Sequence, residues 1–401
     1  MDATLYGFSV PFSFPVHFTR DAWSAGNRTI VDTLRRLEPG RRHRVLVAID
    51  DQVARAHSGL VPAIETYCDA HAGSVALAAP PLVVPGGEGV KNDIAHPLQV
   101  LARINDAGLD RQSFVIAIGG GAVLDMVSFA AALAHRSVRA VRLPTTVLSQ
   151  ADSGIGVKNS INMFGKKNFL GTFVPPFAVI NDSRFLETLT RRDRIAGMAE
   201  VVKVALLRDR GLFNALEAHA GQIASDWQGV LEPFIRRSAE LHLAHICGSG
   251  DPFEHGSARP LDFGHWAAHK IEALSDYRLR HGEAVALGLA VDVTYSARMG
   301  HLGRPVADRI LALLEALGFE LWDPMLVQLN ARGTLAVIDG LAEFREHLGG
   351  ELHITMLRDI GDGFEVTEAD DTVVTEAIGE LARRAGADVA HGSPPADSSP
   401  S

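Results

Sequence analysis

The chain changes character near residue 185, and this change limits the folds that it can adopt. Before that point, short β-branched runs alternate with segments of helical pattern. The run 114–118 is apolar throughout, as a parallel strand buried on both faces requires. Such alternation predicts a doubly wound α/β domain. Other predicted strands are 10–18, 44–49, 75–84, 138–143 and 178–180, with helices at 27–37, 52–72 and 97–107.

After residue 185 the strand signals largely vanish. Apolar residues recur at helical spacing from 195 to 206, and Glu200 and Lys203 lie on a neighbouring face of that helix. Further helices are predicted at 212–224, 231–247, 265–274, 284–299, 306–317 and 334–347, with one late strand at 351–356. We therefore expect an α/β domain at 1–186, an all-α domain at 187–385 and a disordered tail, rich in serine and proline near its end, at 386–401.

The composition is that of a globular enzyme, with 401 residues of which 47% are hydrophobic and 21% charged. A net charge of −10 without a basic stripe argues against nucleic acid as a partner. Cys68 and Cys247 form no motif and are expected to be buried, reduced thiols. The sequence shows no signal-peptide pattern and no run of about 18 apolar residues, so we expect a cytoplasmic protein that does not enter the membrane.

Three histidines and a glutamate are candidates for a metal site. His265 and His269 are four residues apart and share one helix face, and His281 follows a turn that could bring it back to that face. Glu200 is the best upstream carboxylate, and together these groups would leave an open position for substrate. The alternative is that they are ordinary helix and surface histidines, since the chain has 17.

A glycine turn, Gly119-Gly120-Gly121, follows a predicted strand and opens a helix. Such a turn lets the backbone approach a pyrophosphate at the helix N-terminus, although the spacing is not the usual dinucleotide fingerprint. The alternative is a turn required only for tight packing. Asp50 ends another strand and could bind a ribose hydroxyl, and short polar side chains at 144–153 follow the next strand at the same edge of the sheet.

Residues 157–168 resemble a β-hairpin that carries Lys158, Lys166 and Lys167 together with several amides. Lysines and amides clustered in this way suit a dianionic phosphate. The alternative is a solvated basic loop, but a local positive patch in an acidic chain favours an anion.

Six motifs occur in the order found in one enzyme family. They are the glycine turn ending in Asp125, Pro-Thr-Thr with Ser-Gln-x-Asp-Ser (144–153), the lysine hairpin, Ala-Glu-Val-Val-Lys (199–203), Phe-Gly-His-x3-His (263–269) and His-Gly-Glu-Ala-Val (281–285). From about residue 40 to 360, the chain resembles the 3-dehydroquinate synthase-like sugar phosphate cyclases. The resemblance implies a Rossmann-like NAD⁺-binding N-terminal domain, an α-helical C-terminal domain that binds Zn²⁺ or Co²⁺ and the substrate, and a homodimer.

The resemblance also implies roles for individual residues. It makes Glu200, His265 and His281 the metal ligands, and it makes His269 a contact to the substrate phosphate instead of a ligand. The implied NAD⁺ contacts are Asp50, Glu88, Lys91, Gly120, Gly121, Asp125, Thr145, Thr146, Lys167 and Thr188. The implied substrate-side residues are Asp152, Lys158, Asn168, Lys203 and His269, with Arg136 reaching across a dimer interface.

The implied chemistry regenerates its cofactor. NAD⁺ takes hydride from a secondary alcohol beside the metal, while the metal and Lys203 stabilise charge on the oxygen. The new ketone acidifies the neighbouring C–H, and phosphate leaves and takes that proton itself. NADH then returns the hydride, and the enol closes to a six-membered ring by an aldol step.

Three positions depart from the quinate-forming members of the family. His242 stands where they have lysine, Asp262 where they have asparagine, and His347 within the stretch that replaces a late Asp-Lys-Lys, while Arg259 is displaced by one residue. Cations that would hold a substrate carboxylate are thus lost or moved, and Asp262 adds a repulsive charge. We therefore expect an uncharged-chain substrate such as sedoheptulose 7-phosphate, as in the 2-epi-5-epi-valiolone synthase-like or EboD-like members.

Other functions fit parts of the sequence. A 3-dehydroquinate synthase would act on 3-deoxy-arabino-heptulosonate 7-phosphate, and Arg259 or a protonated His242 could meet its carboxylate. A metal-dependent polyol dehydrogenase would share the architecture, but a phosphate-directed lysine hairpin argues against it. A non-catalytic regulatory relative is disfavoured by the intact set of Glu200, Lys203, His265 and His281.

Overall fold

The computed structural model describes residues 3–225, 229–248, 252–253, 261–347 and 352–387. It divides into two compact units. Met1–Val201 with Asp226–Gly256 form the first unit, and Val202–Ser225 with Ser257–Ser401 form the second. The domain limits expected from the sequence remain a prediction, and the expected tail lies almost wholly outside the described residues.

The first unit is built on a parallel sheet. Its strands are β1 (Val16–Thr19), β2 (His43–Asp50), β3 (Val75–Leu77), β4 (Leu82–Val84), β5 (Phe114–Gly119), β6 (Arg139–Pro144) and β9 (Ala178–Asp182). They are ordered β1-β9-β6-β5-β2-β3, with β4 also paired to β2. Each of these pairings is parallel, which confirms the predicted α/β class.

The sheet is buried on both faces. Along β2, Val45 and Val47 belong to one hydrophobic cluster and Leu46 and Ala48 to another, because successive side chains point to opposite faces. The covering helices are α1 (Thr29–Arg35), α2 (Asp51–Ala56), α3 (Leu60–Ala70), α4 (Ala95–Asp106) and α5 (Gly121–Leu133). The helix α8 (Leu231–Gly248) also belongs to this unit. Apolar strands such as β2 are therefore explained by burial on both sides.

The strand order reverses between β2 and β5. From β2 the chain continues to β3 and β4 at one side, whereas from β5 it continues to β6 and β9 at the other. Ile49 pairs with Ile118, so the two strands end at the same level of the sheet. In open α/β sheets, ligands bind at the carboxyl ends of such a pair. Asp50 and Gly119, which end the two strands, mark that side.

An antiparallel hairpin of β7 (Lys158–Met163) and β8 (Lys166–Phe173) follows β6, as the sequence predicted. Its two turn residues, Phe164 and Gly165, have φ values of 55° and 72°. Positive φ at both positions is what a tight two-residue hairpin turn requires.

Three predicted elements of the first unit are shorter than expected. The run 75–84 forms two strands, β3 and β4, because Pro80 and Pro81 lack the N–H groups that a continuous strand needs. The predicted helix 52–72 is divided into α2 and α3 near Gly59. The predicted strand 10–18 begins only at Val16, as β1.

The second unit is mainly helical. It contains the end of α6 (Arg191–Arg208), α7 (Arg210–Ser225), α9 (His265–Leu274), α10 (His281–Arg298), α11 (Arg304–Leu317), α12 (Asp339–His347) and α13 (Asp371–Arg384). An antiparallel hairpin of β10 (Ile354–Asp359) and β11 (Asp362–Val366) is also present. The expectation of a single late strand was therefore wrong, and the sequence reading missed α13.

Helices α9 and α10 make direct backbone contact. Gly264, which precedes α9, has a φ of 78°, a conformation that residues with a side chain rarely adopt. A Cβ atom at Gly288 would lie 2.0 Å from the carbonyl oxygen of Gly264. Glycine at both positions therefore allows the start of α9 to rest on α10.

The described residues contain no helix long and apolar enough to cross a membrane. Cys68 is buried, and burial raises the pKa of its thiol to about 11. Cys247 is exposed, so the expectation of two buried thiols was wrong for that residue.

We expect Gly288→Ala to lower the free energy of unfolding, because its methyl group would force α9 and α10 apart. Overpacking of this kind typically costs about 1–3 kcal/mol. Gly379→Ala on α13 is the matched control, since its Cβ would meet only the end of Arg383 at 3.7 Å. That control should be neutral or slightly stabilising. Urea titration measures both variants, and equal stability of the two would contradict the proposed contact.

Candidate active site

Asp50 stands at the carboxyl end of β2 and is buried. Its Oδ1 atom accepts a hydrogen bond of 2.8 Å from the backbone N–H of Gln52 and so caps α2. Burial raises the pKa of the Asp50 carboxyl. A Cβ atom at Gly86 would lie 2.3 Å from Oδ1, so the turn at Gly86 can approach this carboxylate only without a side chain.

The glycine turn lies beside Asp50. A Cβ atom at Gly119 would be 3.1 Å from the Cβ of Asp50, and the Gly119 carbonyl accepts a 3.0 Å hydrogen bond from the N–H of Thr145. Gly120 precedes α5 and Gly121 begins it. The predicted residues at the ends of β2, β5 and β6 are therefore neighbours, around the positive end of a helix.

A buried lysine joins the predicted cofactor residues to the hairpin. Lys91 is 4% exposed, and its ammonium group donates to Asp125 Oδ2 at 2.7 Å and to Asn168 Oδ1 at 2.5 Å. The Ser160 hydroxyl lies 3.3 Å from the same nitrogen and 2.9 Å from Asn168 Oδ1. Asp125, predicted as an NAD⁺ contact, and Asn168, predicted as a substrate-side residue, thus share one cation.

The hairpin is attached to the sheet by a residue that the sequence reading did not identify. Arg142 on β6 is fully buried and donates to the carbonyl oxygens of Gly156 (2.7 Å) and Lys158 (3.0 Å) and to the Ser128 hydroxyl (3.1 Å). Burial lowers the pKa of Arg142 to about 10. An arginine between the apolar residues Val141 and Leu143 of a predicted buried strand was the sequence signal for this role.

The other residues predicted to contact NAD⁺ are Glu88, Thr146, Lys167 and Thr188. Glu88 Oε1 lies 3.5 Å from the Nδ2 atom of Asn162 on the hairpin. Thr146 Oγ1 is 2.8 Å from the Ser149 hydroxyl. Thr188 follows β9, and its hydroxyl is paired with His57 Nε2 at 2.8 Å. Lys167 lies on β8 and is partly exposed.

Arg136 is not close to the other predicted residues of its own chain. It follows the far end of α5 and precedes β6, at the amino ends of the strands. The 13 residues of α5 span about 20 Å. Arg136, with a φ of 61°, is exposed and lines a surface cavity with Arg111 and Arg139.

Asp152 contacts His242, which stands where the quinate-forming members have lysine. The His242 Nδ1 atom lies 2.8 Å from Asp152 Oδ1, and the two side chains are 12% and 13% exposed. Asp152 belongs to a short turn of helix, Ser149–Ser153, and α8 carries His242 against it. His242, which differs from the residue in the quinate-forming members, therefore lies against Asp152, which belongs to a motif that the family shares.

Helix α6 carries two buried charged groups. Glu200 is 2% exposed and Lys203 is 4% exposed, although the sequence pattern placed both off the main apolar stripe. The helix is apolar on several sides, because Val201, Val202 and Val204 are each fully buried. A helix buried all round brings its charged residues inside as well.

Three imidazole rings are grouped at the start of α9 and α10. The ring centroids of His265 and His269 are 5.5 Å apart, those of His265 and His281 are 5.6 Å apart, and those of His269 and His281 are 6.0 Å apart. The ligand atoms of Glu200, His265 and His281 all lie within 4.8 Å of one another. Two imidazoles and a carboxylate at this separation suit zinc or cobalt.

A second group with the same separation consists of His269, Glu272 and His281. Glu272 was missed by the sequence reading, although it shares a helix face with His265 and His269 at the spacing i, i+4, i+7. Its Oε2 atom accepts a 3.0 Å hydrogen bond from His281 Nδ1. His265 Nδ1 in turn donates to the carbonyl of Phe263 at 3.1 Å.

Asp292 on α10 holds the segment that precedes α9. It accepts 2.9 Å hydrogen bonds from the N–H of Gly264 and from the indole N–H of Trp266, which flank His265. Asp292 has no exposure to solvent, and this burial raises the pKa of its carboxyl to about 7. The same carboxylate therefore fixes both neighbours of His265.

Of the other positions that differ from the quinate-forming members, the structure describes Asp262 and only part of His347. Asp262 is partly buried and its carbonyl accepts a hydrogen bond from the N–H of His265 at 3.0 Å, so it precedes α9 directly. The side chain of His347, and Arg259 as a whole, lie outside the described part of the chain.

Two family models match the chain. The model described as 3-dehydroquinate synthase N-terminal matches residues 81–196, and the model described as 3-dehydroquinate synthase C-terminal matches residues 197–338. Together they span more than half of the 401 residues.

Relatives and a solved structure agree with these models. The chain is 34% identical over 304 residues to 2-epi-5-epi-valiolone synthase from Streptomyces glaucescens, covering 75% of this chain and 76% of the relative. It is 36% identical over 315 residues to 3-dehydroquinate synthase from Halorhodospira halophila, covering 76% and 86%.

One similar solved structure is that of ValA, a 2-epi-5-epi-valiolone synthase from Streptomyces hygroscopicus subsp. jinggangensis with NAD⁺ and Zn²⁺ bound. The TM-score is 0.84 at 27% identity, with coverage of 95% of this chain and 100% of ValA. The resemblance inferred from the order of the motifs is thereby confirmed, and the chain belongs to the 3-dehydroquinate synthase family of sugar phosphate cyclases.

Proposed function

We propose that this protein is an NAD⁺- and metal-dependent cyclase that acts on sedoheptulose 7-phosphate or a similar uncharged-chain sugar phosphate, and forms a cyclitol ketone. The observation that carries the reaction class is the convergence of Glu200, His265 and His281 within 4.8 Å in a chain of this family. As a carbon–oxygen lyase acting on phosphates, the enzyme would break a C–O bond to phosphate before ring closure.

The donor set supports a resident divalent metal. Glu200 and His265 are buried, and His281 is 29% exposed at its side chain, so one side is open to a ligand. Bound Zn²⁺ or Co²⁺ would supply a positive charge that stabilises oxygen charge on the substrate. Lys203, buried on the same helix as Glu200, would add a fixed ammonium group for that oxygen.

The carboxyl edge of the sheet supports NAD⁺ as the cofactor, since Asp50 suits a ribose and the Gly119-Gly120-Gly121 turn suits a pyrophosphate. NAD⁺ would accept a hydride from the substrate and return it later in the turnover. NAD⁺ and Zn²⁺ are both bound in ValA, which supports the same pair here. Lys91 would orient Asp125 and Asn168 toward their partners.

The substrate phosphate would be held by the hairpin and by His269. Asn168 Oδ1 accepts from Lys91, which directs its donating amide nitrogen elsewhere. That nitrogen, together with Lys158 on the same hairpin, would bind phosphate oxygens. Once a ketone is present beside the reacting carbon, the leaving phosphate would take the neighbouring proton, and Asp152 would orient the hydroxyl groups.

The proposed sugar substrate rests on the three positions that differ from the quinate-forming members, which are His242, Asp262 and His347. The His242 Nδ1 atom lies 2.8 Å from Asp152 Oδ1, so the position of a family lysine here holds an imidazole beside a carboxylate. Asp262 precedes α9, where a second negative charge disfavours a substrate carboxylate. His347 is proposed to contribute to the same preference for hydroxyl groups. Without a cationic partner, a carboxylate is bound less well by a few kcal/mol.

We further propose a homodimer. Arg136 is exposed at the amino ends of the strands, away from the other predicted residues of its own chain, so the role that the resemblance implies for it would be in a neighbouring subunit's site. The competing function is 3-dehydroquinate synthase, because the relative from Halorhodospira halophila with that name is 36% identical.

Removal of the His265 imidazole should abolish metal binding and activity while the protein stays folded. His265→Ala should contain no zinc by elemental analysis, because a carboxylate and one imidazole bind zinc weakly. His269→Ala is the matched control: it should keep its zinc but bind sugar phosphate more weakly. If His269→Ala loses zinc as readily, His269 is a ligand and the assignment to phosphate is wrong.

NAD⁺ should act catalytically. With a good substrate, many phosphates should be released per NAD⁺ while NADH absorbance stays level, since the hydride is returned in each turnover. Asp125→Ala should raise the NAD⁺ concentration needed for half-maximal rate, whereas Asp106→Ala, an exposed residue on α4, should not. Stoichiometric NADH formation would instead identify a polyol dehydrogenase.

Sedoheptulose 7-phosphate should be preferred over 3-deoxy-arabino-heptulosonate 7-phosphate by at least about a hundredfold in kcat/KM, which corresponds to about 2.7 kcal/mol. Phosphate release from the two sugars, measured side by side, tests this. His242→Lys should narrow the preference by restoring a cation. Equal or better turnover of the acid would make this protein a 3-dehydroquinate synthase.

A further inference from the structure

We propose that Glu272 is a positioning residue for the metal site: its carboxylate holds the Nδ1–H of His281, so that the Nε2 atom of that ring is presented to the metal. The inference rests on the proposed function, because it concerns the same site. It assigns a role to a residue outside the ligand set of Glu200, His265 and His281.

The hydrogen bond fixes the tautomer of His281. A carboxylate oxygen can only accept, so the 3.0 Å contact from His281 Nδ1 to Glu272 Oε2 requires the proton on Nδ1. The neutral ring then carries its lone pair on Nε2. His265 is held in the same way, since the Phe263 carbonyl accepts from its Nδ1 atom at 3.1 Å. Both imidazoles are therefore set to bind a metal through Nε2.

Because the Glu272 carboxylate is buried, it depends on its hydrogen bond with His281. The side chain of Glu272 is 4% exposed. A carboxylate removed from water needs hydrogen-bond partners, and His281 at the start of α10 supplies one. The contact ties the third turn of α9 to the first turn of α10, while Gly264 rests on Gly288 at the other end. The ring of His281 is thereby restricted in rotation and in tautomer before any metal binds.

Glu272 could instead be a ligand in the group formed with His269 and His281. The geometry favours the hydrogen bond. Two ligands of one tetrahedral zinc, each at about 2.0–2.1 Å, lie roughly 3.3 Å apart. The 3.0 Å separation of His281 Nδ1 and Glu272 Oε2 is shorter and is an ordinary hydrogen-bond length.

The test measures zinc affinity of the metal-depleted full chain by competition with a chromophoric chelator, without any assay of turnover. Glu272→Ala should weaken zinc binding by about tenfold to a hundredfold, as losses of such partners typically do. Glu272→Gln keeps an acceptor oxygen and should lie between Glu272→Ala and the unchanged protein. Glu315→Gln is the matched control, because Glu315 pairs with Arg384 at the surface of the same unit.

A Co²⁺ spectrum separates a positioning residue from a ligand. At saturating Co²⁺, Glu272→Gln should retain the visible absorption of the unchanged protein with a shift in its maximum. Loss of that absorption, or loss of zinc as complete as in His265→Ala, would show that Glu272 is itself a ligand and would overturn the inference. Zinc affinity unchanged in both Glu272 variants would also overturn it.

Failure of the proposed function gives a different result. If the unchanged protein does not bind zinc or cobalt at all, the metal site itself is absent. If the unchanged protein binds zinc and both Glu272 variants bind it with the same affinity, the proposed function stands and only the positioning role of Glu272 is refuted. Circular dichroism and urea titration of Glu272→Gln exclude simple unfolding as the cause of a loss.

Discussion

The buried guanidinium of Arg142 is the interaction on which the arrangement of the first unit depends. A charged group without access to water must be surrounded by acceptors, since an unsatisfied buried charge costs several kcal/mol. Arg142 meets this requirement with the carbonyl groups of Gly154, Gly156 and Lys158. The chain between Asp152 and the hairpin is thereby closed onto β6. The lysines of the hairpin are consequently carried by a sheet and not by a loose loop.

In the second unit, buried carboxylates likewise require hydrogen-bond partners, which here are donors. Asp292 accepts from both neighbours of His265, and Glu272 accepts from His281. Each carboxylate is buried, so each is held where donors are available. The two glycines, Gly264 and Gly288, allow the helices to come close enough for these contacts. The candidate metal site is therefore prepared by polar contacts inside an apolar helix pair.

Much of the fold and of the candidate site could be predicted from local pattern. The apolar run 114–118 predicted β5, and the lysine-rich stretch 157–168 predicted the β7–β8 hairpin. Local pattern failed where a short feature overrides it, as at Pro80-Pro81, which divide a predicted strand. It also failed at β11, where polar residues form an edge strand because β10 offers hydrogen-bonding groups.

The sequence by itself determined the order of the motifs, and with it the family, because each motif is a short local pattern whose residues stand next to one another in the chain. It also supplied Glu200, His265 and His281 through the resemblance. The tertiary structure decided which of these side chains approach each other, and it revealed Arg142, Glu272 and Asp292. These three act through partners that are 9 to 28 residues away along the chain. Such contacts depend on how helices and strands pack, and a local pattern does not specify which distant residues become partners.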